Sequence, residues 1–483
     1  MISALILTVF VIYFVTLFLI SKFTSKGANN QTFYTGNRKV PWHVVAFGMI
    51  GASLSGVTFM SVPGYVQSTQ FTYFGVVLGY LLGYAVIAFV LLPLYYRLNL
   101  TSIYMYLGER FGAFSHKTGS FFFIVSRLLG SSLRMYLVVF VLYEFVFKIW
   151  GIPFWVPAVL LISMILFYTL KGGIKTVVWT DSLQTIFMLA ATIITVIYIL
   201  NKLDISFLNL FEQASKQGMT KMFETDWRAD NFFLKQILSG AFITIAMTGL
   251  DQDMMQRNLT CKTLKDSQKN IITFSFSLLF VNFLFLALGV ALLFYLIATG
   301  TPISEKADNI FPSVAFNISP FTAVVFVLGL IAAGYSSADG TLTSLTTSFC
   351  YDFLGFKEIK KTEEQKTKTR KTVHIAFALL FLFCMLIFKP FHNDSLIKII
   401  FDIASYTYGP LLGLFAFGLF TKRKIRDKWA PVLAILSPII CFILNKYSII
   451  WFNGYKFGFE LLIINGLITF IGLFILSVKR GKV

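Results

Sequence analysis

Charged side chains are scarce in this sequence and make up only 13% of its 483 residues. A soluble domain carries about a quarter, because its surface must face water. No stretch between the apolar runs is long enough to form a separate soluble domain. The scarcity of charge therefore argues against a water-soluble enzyme or binding module and indicates one integral membrane unit.

Cysteine and histidine are also rare, with four residues of each type. Cys261, Cys350, Cys384 and Cys441 are scattered, so neither a disulfide framework nor a metal-binding spacing is visible. The sequence also lacks a zinc-type His–Glu spacing, a phosphate-binding Gly–Lys loop and a nucleophile elbow. These absences argue against an enzyme. An intramembrane aspartyl enzyme is only a remote alternative, because the candidate aspartates are spread over several helices.

Long apolar runs are abundant, and a run of about 20 apolar residues spans a bilayer as a helix. They predict an all-α membrane protein of about thirteen spans. The outer segment 202–232 is predicted to contain a short helix on the surface, and residues 300–316 are predicted as a second outer loop. The predicted spans are residues 2–23, 41–66, 72–98, 116–149, 154–172, 176–201, 233–256, 270–298, 317–352, 371–388, 394–420, 428–446 and 456–478.

The net charge of +19 does not indicate a nucleic-acid partner, because of where the basic residues lie. Most of them fall in the connections after odd-numbered spans and at the C-terminus, and positive residues stay cytoplasmic. The N-terminus is therefore predicted outside and the C-terminus inside. The densest basic cluster, Lys357 to Lys371, is interpreted as a topology signal near anionic lipid. The first span lacks signal-peptide features, so a retained helix is predicted.

Two predicted spans contain residues that interrupt a helix. The second span reads GASLSGVTFMSVPG from Gly51 to Gly64, and the seventh is interrupted around Ser239–Gly240 and Thr244–Gly249. Unwound backbone at membrane depth survives only where it faces protein or a water-filled cavity. The five-span offset between the two interruptions predicts an inverted repeat of five helices plus five, with its site at the first helix of each half. Close helix packing is the alternative explanation for small residues.

The ninth predicted span carries an unusual density of hydroxyl groups. Ser336, Ser337, Thr341, Ser344 and Thr347 lie along a helix that is otherwise as apolar as its neighbours. A single serine in a membrane helix usually bonds its own preceding carbonyl. An alkali cation needs a shell of hard oxygen ligands. This cluster, placed opposite a broken helix, therefore predicts a cation site.

Ionisable residues within membrane spans are costly and by default functional, and the ones singled out here are Asp181, Asp339, Asp402, Arg127 and Arg134. Asp181 and Asp339 are candidate cation ligands or proton carriers, and helix-end charges that reach water are the alternative. Arg127 and Arg134 are almost two turns apart on one helix, so they project on nearly one face. They either grip a carboxylate of a solute or form structural ion pairs with Asp339 or Asp402.

Three segments of the sequence resemble the sodium/solute symporter family, which includes sodium/sugar, proline and sialic acid transporters. These are the broken helix Gly51–Gly64, KGGIKTVVWTDSLQ from Lys171 to Gln184, and GLDQDMMQRNLTCKTLKDSQKN from Gly249 to Asn270. The resemblance covers nearly the whole chain and implies the LeuT-like fold. The chain is then one transporter domain, 1–483. Its core repeats are 41–201 and 233–420, and its peripheral helices are 1–23 and 428–478.

The resemblance also implies where ligands bind. A second cation site, found in some relatives, takes Asp181 and Gly340 together with Asp339, which departs from the Ser or Thr common in the family. For the common sodium site the implied ligands are the carbonyls of Gly51, Leu54 and Ala333 and the hydroxyls of Ser336 and Ser337. For the solute pocket the implied residues are Ser53, Ser55, Thr58, Thr244 and Thr248, together with Arg127 and Arg134.

The function implied by the resemblance is sodium-coupled import of a small polar solute by alternating access. A glucose-like solute is disfavoured, because this chain has Val77 where the sodium/sugar branch has an acidic or amide group. The arginines and hydroxyls favour a carboxylated or polyhydroxylated solute such as a sugar acid. A proton-coupled transporter of the same fold is the alternative. The expected partners are the solute, sodium and the bilayer of a bacterial inner membrane, with no nucleic acid and no obligate protein partner.

Overall fold

The computed structural model describes residues 2–388 and 396–478, and this part of the chain is almost entirely helical. Ten helices are long and apolar enough to cross a membrane, two bent helix pairs pass the same test together, and Leu461–Ile475 is a shorter apolar helix. The predicted all-α membrane architecture is thereby confirmed. The α-helices are α1 (Ile2–Thr24), α2 (Asn30–Thr35), α3 (Trp42–Ser53), α4 (Gly56–Thr69), α5 (Tyr73–Val86), α6 (Leu92–Arg97), α7 (Met105–Arg110), α8 (Ala113–Leu142), α9 (Trp155–Gly172), α10 (Ile174–Leu203), α11 (Phe207–Lys216), α12 (Phe233–Thr244), α13 (Gln252–Asn258), α14 (Leu264–Ala298), α15 (Ala307–Ile318), α16 (Pro320–Ser348), α17 (Glu363–Ile387), α18 (Leu396–Phe420), α19 (Ala430–Trp451) and α20 (Leu461–Ile475).

The hydroxyl-rich helix α16 lies in the interior of the bundle. Every residue from 329 to 348 is buried, whereas α1 and α19 leave large apolar side chains such as Ile12 and Ile450 exposed. Apolar side chains can face lipid at no cost, but polar groups in the hydrocarbon region need partners inside the protein. The distribution of polar residues therefore decides which helices are central and which are peripheral.

The second predicted span is broken, as the sequence predicted. Its two halves, α3 and α4, meet at an angle of 62°. The helix α4 begins with its own N-cap, because the Ser55 hydroxyl accepts a hydrogen bond of 3.5 Å from the amide of Thr58. The last carbonyls of a helix have no intrahelical partner. The break therefore places main-chain oxygens at the interior of the bundle.

The seventh predicted span is also broken, and of its two predicted interruptions only the second, Thr244–Gly249, leads into the bend. The helix continues through Ser239–Gly240 and then through a π-helical turn at Ile245–Gly249. The bend of 72° separates that turn from α13, whose N-cap is Asp251. Gly240 serves close packing instead, since a Cβ atom there would lie 2.1 Å from the carbonyl oxygen of Val76 on α5.

Two of the connections contain helices. The predicted amphipathic helix in segment 202–232 is α11, and its position is confirmed. The segment 300–316 is predicted as a loop, but α15 begins in it at Ala307 and contains Pro312 in its interior. Gly64 of α4 packs directly on the backbone of Ala307, so α15 lies against the second half of the broken helix. A short strand pair, Lys424–Ile425 with Ser477–Val478, joins the loop after α18 to the end of α20.

Candidate functional site

A cavity of about 100 Å³ lies beside the break between α3 and α4. Its wall comes from the broken helix, from α5, α8, α12, α13, α14 and α18, and from the π-helical turn after α12. The structure brings together in this wall all seven residues that the resemblance assigned to the solute pocket. They are Ser53, Ser55, Thr58, Arg127, Arg134, Thr244 and Thr248.

The two arginines of the cavity differ in what they contact. Arg127 forms a bidentate pair with Asp251, with distances of 2.8 Å from Nε and 2.7 Å from Nη2. The hydroxyl of Tyr408 donates to the same carboxylate. Arg127 is therefore in a structural ion pair, but its carboxylate partners are Asp251 and, at 3.3 Å, Asp253 instead of the predicted Asp339 or Asp402.

Arg134 has no such partner among the residues that the structure describes. Within residues 2–388 and 396–478 its guanidinium makes no hydrogen bond and no ion pair, and its side chain is only partly buried. A guanidinium presents donors in a planar fork that matches a carboxylate. Of the two arginines, Arg134 is thus the one with its donors free for an anionic group in the cavity.

The predicted sodium ligands lie where α3 ends against α16. A Cβ atom on Gly51 would lie 3.2 Å from the Ser336 hydroxyl oxygen. Leu54 sits at the break and is 3% exposed, and Ala333, one turn before Ser337 on α16, is 1% exposed. The structure therefore brings the end of α3 against the interior of α16.

Ser336 and Ser337 are both buried but are engaged differently. The Ser336 hydroxyl donates a hydrogen bond of 2.8 Å to Oδ1 of Asp181. The Ser337 hydroxyl has no hydrogen-bond partner in the described part of the chain. Buried polar atoms are nearly always satisfied, and an unsatisfied hydroxyl oxygen is a suitable ligand for a hard cation. The described residues contain no cluster of three His, Cys, Asp or Glu that could hold a metal ion.

The residues expected to form a second cation site do lie together, but around a guanidinium. Arg257 Nε is 2.9 Å from Asp181 Oδ2, and its Nη2 is 3.9 Å from Asp339 Oδ1. Asp339 also accepts hydrogen bonds from Tyr168 (2.8 Å) and from the amide of Gly340 (2.6 Å). In this structure Arg257 supplies the positive charge among these carboxylates, and a second cation site there stays a prediction.

Sequence reasoning missed three charged residues of the site. Asp251, Asp253 and Arg257 lie just beyond the bend, and each has less than 2% of its surface exposed. Their charges in the segment Gly249–Asn270 could have indicated them, because they follow directly on an apolar run. The predicted span 233–256 instead includes two of these charges without marking them as part of the site.

Asp402 does not belong to the wall of the cavity that contains the two arginines. It lines an adjoining cavity of about 320 Å³ together with Asp230 and Lys456. Tyr73 and Phe401 line both cavities, so these two aromatic side chains lie between the two spaces.

Comparison with known proteins shows which sequences and folds this chain is similar to. Residues 33–427 match the model of the sodium:solute symporter family. The chain is 26% identical to the sodium/sialic acid symporter SiaT of Proteus mirabilis over 88% of this chain and 86% of that protein. It is 24% identical to the sodium/sialic acid symporter NanT of Aliivibrio fischeri, over 86% and 82%. Its fold is similar to the substrate-bound, outward-open structure of a Na⁺-coupled sialic acid symporter, with a TM-score of 0.82 and 22% identity over 99% of both chains.

Proposed function

The chain belongs to the sodium:solute symporter family, and on that premise we propose that it imports a carboxylated, hydroxyl-bearing solute such as a sugar acid together with sodium. The similarity to two sodium/sialic acid symporters supports this solute class, since sialic acid is a sugar that carries a carboxylate.

The observation that carries the solute class is the free guanidinium of Arg134 in a cavity lined by hydroxyl groups. Arg127 already donates to Asp251 from Nε and Nη2, so it has fewer donors left for a solute than Arg134. Thr58, Thr244 and Thr248 offer hydroxyl groups that both donate and accept hydrogen bonds, as a polyhydroxylated solute requires. A carboxylate on Arg134 with the remaining hydroxyls toward the threonines satisfies both kinds of group.

The proposed sodium site consists of carbonyls from the broken helix and α16 and of two hydroxyls from α16. Its support is the approach of Gly51 to Ser336 and the unsatisfied hydroxyl of Ser337. Ser336 keeps its lone pairs for a cation, because its proton points to Asp181. The proposed ligands are Gly51, Leu54, Ala333, Ser336 and Ser337.

Coupling follows from the position of this site at the break. Sodium holds α3 and α4 against α16, and the solute binds on the other side of the same break. Each ligand must then raise the affinity of the other by the same factor. The membrane potential contributes about 2.3 kcal/mol per charge per 100 mV to entry of the cation, which together with a sodium gradient drives accumulation of the solute.

The proposed architecture places the N-terminus outside and the C-terminus inside a bacterial inner membrane. The core repeats are 41–201 and 233–420, with 1–23 and 428–478 peripheral. In support, each repeat begins with a bent helix pair. The segments 28–31 and 363–367, which this topology puts on the same side, line one cavity.

The test is uptake into proteoliposomes that contain the purified protein. Radiolabelled sialic acid is offered with an inward sodium gradient, with potassium in place of sodium, and with a proton gradient alone. We expect accumulation only with sodium. A neutral sugar of similar size should compete at least about tenfold less well, because it lacks the charge that Arg134 recognises.

Two outcomes would contradict the proposal. Uptake that follows the proton gradient in sodium-free buffer would favour the proton-coupled transporter. Equal competition by neutral and carboxylated sugars would exclude Arg134 as a carboxylate partner.

A further inference from the structure

Arg257 joins three helices from a fully buried position at the end of α13. Its Nε donates to Asp181 Oδ2 on α10 at 2.9 Å, and its Nη2 donates to the carbonyl oxygen of Ser336 on α16 at 3.0 Å. Its third partner is the carboxylate of Asp253, one turn earlier on α13. No atom of Arg257 lines the solute cavity, so a role in binding the solute does not explain it.

The partners of Arg257 extend to the solute cavity. Asp253 Oδ2 lies 3.3 Å from Nη2 of Arg127, and Arg127 lines the cavity. Buried charges of alternating sign therefore run without interruption from the cavity wall to α16. The members of this charge chain are Arg127, Asp253, Arg257 and Asp181.

The other end of the charge chain meets the proposed sodium ligands. Ser336 is held twice, by its hydroxyl on Asp181 and by its carbonyl on Arg257. A cation at Ser336 and Ser337 attracts the carboxylate of Asp181 and repels the guanidinium of Arg257. Such forces are strong in a buried environment of low dielectric constant. Occupancy of the sodium site therefore changes the most favourable position of Arg257 and of α13.

Gly340 provides the space that this arrangement needs. A Cβ atom at position 340 would lie 2.1 Å from Nη2 of Arg257 and 2.4 Å from Oδ1 of Asp253. Contacts that short do not occur, so any other residue at this position displaces the guanidinium from Ser336. Gly340 is therefore needed for the packing of Arg257 and Asp253 within the charge chain.

We propose that Arg257 is a positioning residue that transmits occupancy of the sodium site to α13 and, through Arg127, to the solute cavity. This inference rests on the sodium site proposed above. In this proposal sodium and the solute both shift the position of α13. A shared element whose position both bound species change is what a coupling mechanism requires. Arg257 acts through Asp181 and Asp253 and touches neither ligand.

Cys261 is a native reporter for the position of α13. It lies three residues after the end of the helix, is fully buried, and its carbonyl accepts a hydrogen bond of 3.0 Å from Tyr96. Burial raises the pKa of its thiol to about 12, so a maleimide reacts with it only when the segment opens. With the other three cysteines replaced by serine, its labelling rate follows the opening of this end of the helix.

The experiment compares maleimide labelling of the purified full-length protein in sodium chloride and in choline chloride. We expect sodium to slow labelling by about tenfold, a typical coupling factor. In Arg257→Lys and Gly340→Ala the rates in the two salts should be equal. Arg370→Lys is the matched control, because Arg370 is also a buried guanidinium (3% exposed) but stacks on Phe33 outside the charge chain. This control should keep the response to sodium.

Thermal unfolding in the same two salts separates binding from transmission. Sodium should still raise the Tm of Arg257→Lys, since the proposed ligands are intact. No effect of sodium on either Tm or labelling of the unaltered protein would disprove the sodium site itself. If sodium slows labelling of the unaltered protein and slows labelling of Arg257→Lys or Gly340→Ala equally, only the role of Arg257 is overturned. Asp253→Asn is the milder variant if Arg257→Lys does not fold, and it should also lose the response.

Discussion

The hydroxyl of Ser336 donates to Asp181 at 2.8 Å, while the neighbouring hydroxyl of Ser337 is buried without a partner in the described part of the chain. One carboxylate therefore fixes the orientation of the first hydroxyl and leaves its lone pairs free, and the second hydroxyl is free altogether. Oxygen atoms prepared in this way suit an alkali cation, which needs several hard ligands and no proton.

Replacing both serines should remove sodium coupling. In the double variant Ser336→Ala and Ser337→Ala we expect sodium-stimulated uptake to fall to the level seen without sodium, because two of the five proposed ligands are lost. Ser344→Ala is the matched control, since Ser344 is buried on the same helix but donates to the carbonyl of Thr341. Uptake as a function of sodium concentration is the measurement. Unchanged sodium dependence in the double variant would refute the site.

Arg134→Gln should raise the KM for a carboxylated solute by about ten- to a hundredfold, because hydrogen bonds to charged groups contribute about 1.5–3 kcal/mol. Arg134→Lys should be intermediate, since it keeps the charge but loses the planar fork. Initial rates of uptake over a range of solute concentrations give these values. An equally large loss for a neutral sugar would indicate that Arg134 shapes the cavity and does not recognise the carboxylate.

The two arginines of the cavity should differ in their effect on stability. Arg127→Met leaves Asp251 buried without its partner, and breaking such a pair costs about 3–5 kcal/mol. Arg134→Met removes no ion pair within the described residues, so we expect a change of less than about 1 kcal/mol. Thermal unfolding of both variants in one detergent checks the difference. Similar losses of Tm would contradict the distinction between a structural and a free guanidinium.

Gly51→Ala should disturb the contact between α3 and α10. The added methyl group would lie 2.5 Å from the Thr185 hydroxyl oxygen, and overpacking of this kind costs about 1–3 kcal/mol. Adding Thr185→Ala should restore part of the loss, although the hydrogen bond of 3.0 Å to the amide of Gly51 disappears. Gly130→Ala is the control, because its Cβ atom meets nothing within 4 Å. Sodium affinity and Tm are measured together, and no change in Gly51→Ala would show that the helices yield at this point.

Much of the fold follows from local sequence. Runs of apolar residues set the helices, and the Gly- and Ser-rich run at Gly51–Gly64 marked the first break, because these features depend only on neighbours along the chain. Of the two interruptions predicted in the seventh span, the one at Thr244–Gly249 adjoins the bend, whereas the one at Ser239–Gly240 is wrong. Gly240 instead allows α12 to approach Val76 on α5, and the sequence alone does not distinguish a glycine that breaks a helix from one that lets another helix come close.

The sequence by itself determined that this is a helical membrane protein, where its second span breaks, and which polar residues face inward. These properties come from the cost of exposing charge and unpaired backbone to lipid. Only the tertiary structure decided that Arg127 pairs with Asp251, that Arg134 stays free, and that Arg257 lies between Asp181 and Asp253. The pairs of Arg127 with Asp251 and of Arg257 with Asp181 join residues far apart in the chain, and the pair of Arg257 with Asp253 lies beyond a bend of 72°. Their geometry therefore exists only once the helices have packed.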